Sequence, residues 1–175
     1  MTSCHHIAIT GHRPTKLGGY NLDTPGYYKL QQDLEQYIRF MLSQHDRLTC
    51  HSGLALGADT IWSKAVLNMR ETYPTRVYYH AEVPMMTQSE RWPFAADRLF
   101  WKRCVDSADF VTIYGEVSST MSAGKLLNNR NIGMVDHCDT LLAVFDGSPS
   151  GTKNAIDYAK RKSKEIVMIE PTKYF

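Results

Sequence analysis

Short apolar runs alternate along this chain with stretches in which apolar residues recur every three or four positions. The runs Cys4–Thr10 (CHHIAIT), Leu48–His51, Arg76–Val83 (RVYYHAEV), Phe110–Tyr114, Thr140–Phe145 (TLLAVF) and Glu165–Ile169 (EIVMI) are rich in Val, Ile, Tyr and Phe and read as strands. The Thr140 run is apolar on both faces, as a strand in the middle of a covered parallel sheet must be. Between the runs, Leu30, Leu34, Tyr37, Ile38, Met41 and Leu42 follow a helical repeat, as do Phe94, Trp101 and Val105 and, more loosely, Ile61, Ala65 and Met69. Two further helices are predicted over Ala123–Val135 and Thr152–Arg161. This alternation predicts one α/β domain over residues 1–175: an open, doubly wound, mainly parallel sheet with helices on both faces.

Two connections break the pattern. Gly11 to Gly26 (GHRPTKLGGYNLDTPG) and Pro84 to Pro93 (PMMTQSERWP) are long and irregular, and in this architecture they fall near the carboxyl ends of strands, where ligands bind. Three strand ends carry candidate ligand loops: Gly11, His12 and Arg13 after the first strand, Ser52 to Asp59 (SGLALGAD) after the second, and Asp146 to Thr152 (DGSPSGT) after the fifth. Helix starts offer amides without intrahelical acceptors and the positive end of the helix dipole, so an anion is favoured there. Glycine lets phosphate oxygens reach such amides, and Gly53 and Gly57 are the expected cradle. No loop matches a dinucleotide fingerprint or a P-loop, and Pro14 keeps the first strand from running straight into a helix. No cofactor is expected.

Composition narrows the classes. Hydrophobic residues make up 43% and charged residues 22%, with a formal net charge of +2, which fits a folded globular chain. The one basic cluster, Lys160 to Lys164, reads as a solvated helix end. Low, unclustered charge argues against nucleic acid as a partner. No window is apolar enough to span a membrane, and MTSCHHIAIT lacks the basic and apolar regions of a signal peptide. Cys4, Cys50, Cys104 and Cys138 form no CxxC pair and are expected to be free thiols in the cytoplasm.

The series GHRP with KLGGY, then SGLALGAD, NNRN and DGSPSGTKNAIDYAK resembles the YpsA-like branch of the SLOG superfamily, over roughly residues 7 to 171. That group is related to DprA and to the lysine-decarboxylase-like LOG phosphoribohydrolases. The resemblance implies a Rossmann-like domain that binds nucleotides or nucleotide-derived ligands, often as a homodimer, in bacterial stress or phage-conflict systems. LOG enzymes carry PGGxGTxxE, whose Glu supports cleavage of an N-glycosidic bond. Here GSPSGTKNA places Asn154 and Ala155 in that region, and neither can act as a general base.

The expected function is therefore binding, by sensing or sequestering, of a nucleotide-type small molecule by a homo-oligomer. The alternatives are an enzyme acting on a nucleotide N-glycosidic bond, with Asp59, Glu82 or Glu116 supplying the missing carboxylate, and a DNA-associated module. The expected ligand residues are Gly11, His12, Arg13, Ser52, Gly53, Gly57, Asp59, Trp92, Arg130, Asp146, Gly147, Gly151 and Thr152. Arg13 offers a planar fork to phosphate, against a surface salt bridge as the alternative. Arg130 enters from the fourth connection, or is a solvated helix residue. Asp59 accepts from ribose hydroxyls, or stabilises its own helix start. Trp92 stacks on a base, or makes a rim or dimer contact. Asp146 is the one weak catalytic candidate, since burial at a strand end raises a carboxyl pKa. No metal is expected: His5, His6, His51 and His137 sit beside Cys4, Cys50 and Cys138, and adjacent residues on a strand face opposite ways.

Overall fold

The computed structural model describes residues 4–175. Six strands alternate with five helices: β1 (Cys4–Gly11), α1 (Pro25–Leu42), β2 (Arg47–Ser52), α2 (Ala58–Thr72), β3 (Val77–Val83), α3 (Ala95–Ser107), β4 (Phe110–Ile113), α4 (Ala123–His137), β5 (Thr140–Val144), α5 (Gly151–Arg161) and β6 (Glu165–Ile169). All five strand pairings are parallel, and the sheet order is β4-β3-β2-β1-β5-β6. The expected doubly wound sheet is present and wholly parallel. Helix α1 begins earlier than the apolar repeat alone indicates, because Pro25 at its first position is pre-set for helical geometry.

Residue alternation on the strands sorts the core. Ile7, Ile9, Leu48, Cys50, Val77 and Tyr79 point to one face, where Leu30, Leu34 and Ile38 of α1 and Ile61, Trp62 and Ala65 of α2 cover them. Ala8 and Leu141 point to the other, under Met134 and Val135 of α4 and Ala155 and Ala159 of α5. Trp62 is fully buried and donates its indole N–H to the His51 carbonyl (3.0 Å), so the largest core side chain leaves no polar atom stranded. The four cysteines are free. Among the described residues no helix is long and apolar enough to cross a membrane.

Strand order reverses between β1 and β5. Chain leaving β1 turns toward β2, chain leaving β5 turns toward β6, and the two loops part at the carboxyl edge of the sheet, leaving a crevice. One side of that crevice is set by how closely α2 approaches β1. A Cβ on Gly11 would stand 2.3 Å from the Ala58 Cβ, and one on Gly57 would stand 2.4 Å from the His12 carbonyl oxygen. Gly57 also sits at φ +103°, a region closed to L side chains without strain. The Ala58 amide donates to the His12 carbonyl (3.3 Å), which fastens the helix start to the end of β1.

Gly147 provides an internal control for this junction. Its φ is +91°, yet a Cβ there meets nothing within 4 Å. Replacing Gly147 with Ala should cost only the backbone conformation, about 1–3 kcal/mol. Replacing Gly57 with Ala should cost more, because the His12 carbonyl must also move. Urea unfolding of the two variants measures the difference, and equal losses would refute the close-packed junction.

Candidate functional site

The crevice holds a cleft of about 360 Å³ lined from three loops and α4. The end of β1 and the turn after it supply Gly11, His12, Arg13, Thr15 and Lys16; the β2–α2 connection supplies Ala55 and Asp59. Helix α4 supplies Leu127, Arg130 and Asn131, and the start of α5 supplies Ser150, Gly151 and Thr152. Seven expected site residues meet here: Gly11, His12, Arg13, Asp59, Arg130, Gly151 and Thr152.

Arg130 is the deepest cation, with 4% of its surface exposed, so it is not a solvated helix residue. Its guanidinium donates to the Gly53 carbonyl and lies 3.8 Å from an Asp59 carboxylate oxygen, and its Nε donates to the Asn131 side chain (2.9 Å). Asp59 in turn accepts from the Ala55 amide (3.3 Å). Burial pushes the Asp59 pKa up and that of Arg130 down, while each charge and the Ala55 amide pull the other way. Arg130 stays a cation, and Asp59 is its counter-ion in the cleft wall.

Arg13 is exposed, and its guanidinium has no hydrogen-bond or ion-pair partner among the described residues. The surface salt bridge is absent. Lys16 reaches across the mouth to the Ser148 hydroxyl (2.6 Å). Ser150 caps α5 by accepting from the Lys153 amide (3.3 Å), and the first turn of that helix carries no acidic residue. One wall is thus a helix start with two cations near it, an environment that favours an anion.

Six expected site residues lie elsewhere, for identifiable reasons. Gly53 is not a cradle: a Cβ there would meet the Arg130 guanidinium at 1.8 Å, so the glycine makes room for that side chain. Gly57 makes room for the His12 carbonyl, as described above. Ser52 is buried among the Asp59 carbonyl, the Leu54 amide and the Ser63 hydroxyl. Trp92 lines a second cleft of about 420 Å³ with Gln88 and Val117, and that cleft shares Arg13 and Leu127 with the first. Gly147 is a turn residue outside the lining.

Asp146 stands at the lip and holds the loop together. It accepts from the Ser148 hydroxyl (2.6 Å), the Ser148 amide (2.8 Å) and the buried His12 ring (2.6 Å). Those bonds from Ser148, with His12 behind them, hold its carboxyl well below the usual range. The expected upward shift by burial is reversed, and Asp146 is an ionised acceptor with no proton to give.

Lys16, Thr15 and Asn131 were not anticipated. Lys16 opens KLGGY and Asn131 ends NNRN, so both lie inside quoted motifs in which no ligand role was given to them, and Thr15 lies between GHRP and KLGGY. Gln88, in the second long loop, was also missed. It donates to the Gly53 carbonyl (3.0 Å) and accepts from the Trp101 indole (2.8 Å).

The histidines meet across strands rather than along the sequence. Adjacent ones do diverge, but parallel register sets His51 beside His80, and His6, His137 and Glu82 join them on the α4 side of the sheet. Burial raises the Glu82 pKa, yet bonds from His51, His137 and Tyr114 outweigh it and hold the carboxyl at about 2. Burial lowers His80 to about 4, against the attraction of Glu82.

Residues 7–174 match the sequence profile of the YspA SLOG family. The chain belongs to that family. Among relatives of this SLOG protein, the SPbeta prophage-derived protein YoqJ of Bacillus subtilis is 28% identical over 152 residues, covering 80% of this chain and 85% of the relative. A UPF0398 protein of Bacillus pumilus is 25% identical over 146 residues, covering 83% and 76%. DNA processing protein A (DprA) of Streptococcus pneumoniae has the same fold, with a TM-score of 0.61 at 17% identity. DprA of Helicobacter pylori matches with a TM-score of 0.62 at 16% identity, and its structure describes a single-stranded DNA binding mode. Both alignments cover 94% of this SLOG chain, which spans 50% of the pneumococcal chain and 64% of the Helicobacter one. These matches correct one expectation. Low net charge argues against nucleic acid as a partner, yet a protein with this fold binds single-stranded DNA. Charge summed over the whole chain hides where the cations of a binding surface stand.

Removing Arg130 should leave Asp59 buried without its counter-charge. Arg130→Met is expected to destabilise the protein by about 3–5 kcal/mol, the usual cost of breaking a buried pair on one side. Asp59→Asn in the Arg130→Met background should recover part of that loss. A double-mutant cycle by chemical denaturation reads the coupling, and simple additivity would show that the two charges do not support each other.

Proposed function

We propose that the cleft at the β1–β5 reversal binds the phosphate of a nucleotide unit, and that the protein is a binding module. One observation carries this reading: the partnerless guanidinium of Arg13, the ammonium of Lys16 and the start of α5 border a single 360 Å³ cleft. A phosphate accepts from a forked guanidinium and from helix-start amides in the same pose. The sugar and base then lie toward Asn131 and Leu127.

Turnover at the glycosidic bond has little support in the wall. Asp59 is committed to Arg130, and Asp146 is ionised and bonded to Ser148 and His12. Asn154 and Glu116 do not line the cleft, nor does the buried Glu82. Ala155, on the inner face of α5, is packed into the core.

A second reading is that the nucleotide unit belongs to single-stranded DNA. The DNA-binding Helicobacter neighbour supports it, as does the second cleft. Because the two clefts share Arg13 and Leu127, a strand with one phosphate at Arg13 has room for a neighbouring base beside Trp92. Aromatic stacking with a cationic groove is the usual chemistry of such binding. The comparisons favour this reading over a free nucleotide; the geometry of the first cleft serves both.

Calorimetry with nucleoside mono-, di- and triphosphates, and fluorescence anisotropy with labelled oligothymidylates of increasing length, separate the two. Arg13→Ala should weaken phosphorylated ligands by about 1.5–3 kcal/mol, the range for hydrogen bonds to charged groups, and leave the matching nucleoside unaffected. On the DNA reading, affinity rises with oligonucleotide length, falls steeply with salt, and Trp92→Ala costs about 1–3 kcal/mol. Equal losses for nucleoside and nucleotide in Arg13→Ala would remove phosphate from the site. Free base released at an enzymatic rate would overturn the binding-module reading.

A further inference from the structure

On the face of the sheet opposite α2, two imidazoles and a carboxylate converge, and a third imidazole contacts the carboxylate from α4. His51 of β2 lies directly beside His80 of β3 in the parallel register, and Glu82, two residues on, shares that face. His137 reaches them from the last turn of α4. A single carboxylate oxygen, Glu82 Oε1, stands 2.8 Å from His51 Nδ1, 2.9 Å from His137 Nδ1 and 3.9 Å from His80 Nε2. One ligand atom from each of His51, His80 and Glu82 lies within 4.8 Å of the others.

We propose that His51, His80 and Glu82 form a binding site for a borderline divalent transition-metal ion, zinc in the first instance, with His137, in contact with Glu82 Oε1, placed to turn in as the fourth ligand. Imidazole nitrogens and a carboxylate oxygen are a donor set suited to zinc, and the trio supplies three of its four positions, the fourth falling to His137 once its exposed side chain turns toward the ion. A hard ion such as magnesium or calcium would require more oxygens than the cluster offers.

Groups behind the ligands orient them as outer partners of a metal do. His6 Nδ1 lies 3.0 Å from His51 Nε2, and the Tyr114 hydroxyl donates to the other Glu82 oxygen (2.8 Å). An ionised carboxylate only accepts, so without metal the Nδ1 protons of His51 and His137 point at Glu82 Oε1. Coordination moves those protons to Nε2. The His51 Nε2–H then donates to His6 Nδ1, and the His51–His6 hydrogen bond reverses direction without losing a partner. His80 exchanges its bond to the Thr112 hydroxyl (2.8 Å) for the ion. Access is open at one corner: the His137 side chain is 46% exposed, while Glu82 is fully buried.

The test uses untagged full-length protein, stripped with chelator and titrated with zinc chloride by calorimetry and with cobalt chloride by visible absorption. One ion per chain and the visible bands of tetrahedral cobalt are expected. His6→Ala, which removes only an outer partner, should weaken zinc about 10–100-fold. His137→Ala removes the fourth protein ligand from a half-exposed position where water can take its place, so zinc should bind more weakly and the cobalt bands should shift while circular dichroism stays native. Arg13→Ala should bind zinc as the wild type does. No saturable uptake, or uptake and cobalt bands unchanged in both His137→Ala and His80→Ala, would overturn the proposal and leave a hydrogen-bonded histidine cluster.

Discussion

Arg130 is the interaction on which the rest of the site depends. A guanidinium at that depth loses its hydration, and it persists only because the protein supplies acceptors at fixed positions. Those acceptors dictate local structure on every side. The Gly53 carbonyl must face it, which leaves no space for a side chain at residue 53. Asp59 must stand in the first turn of α2, and α4 must lie close enough to span the gap. Gln88 shares the same Gly53 oxygen, so the long loop after β3 is registered to the same point. A single buried charge thereby aligns the β2–α2 connection, α4 and the loop beside the second cleft.

That arrangement also decides which helix start faces the cleft. Glycines at the β2–α2 turn would ordinarily mark an anion cradle. Here the Ala58 amide is spent on the His12 carbonyl, the Ala55 amide on Asp59, and Arg130 fills the hollow at Gly53. The helix start open to the crevice is that of α5, where Ser150 caps the helix without bringing a negative charge. Dipole and cations then act on the same small volume, while Asp59 in the opposite wall repels any anion that strays toward it.

Much of this was legible in the sequence because the relevant signals are local. Alternating apolar runs and helical repeats gave the six strands and five helices, and the switch of small residues at strand ends located the three loops. What was missed is non-local. Nothing in SGLALGAD states that an arginine from α4 will occupy the space over Gly53. Asp146 read as a buried acid because it ends an apolar strand, but its neighbour Ser148 and the distant His12 turn it into an ionised clasp. The histidines show the same limit. Inspected as sequence neighbours they diverge, and only the register between β2 and β3 brings His51 against His80. The alternation of HAE in β3 was the available signal, since it sets His80 and Glu82 on one face.

The parallel sheet carries a consequence for how the molecule comes into being. No strand pairs through a tight hairpin; each waits for a crossover, and the β1–β5 seam sets Ile7 beside Thr140. Chain closure across so long a loop is entropically expensive and slow to be rewarded by contacts. During synthesis the half of the sheet from β1 to β4 can assemble from consecutive units, while β1 keeps one flank unpaired until β5 has emerged. The cleft lies on that seam. Its lining is therefore completed last, and a chain stalled before β5 would present an open, apolar β1 edge in place of the cleft.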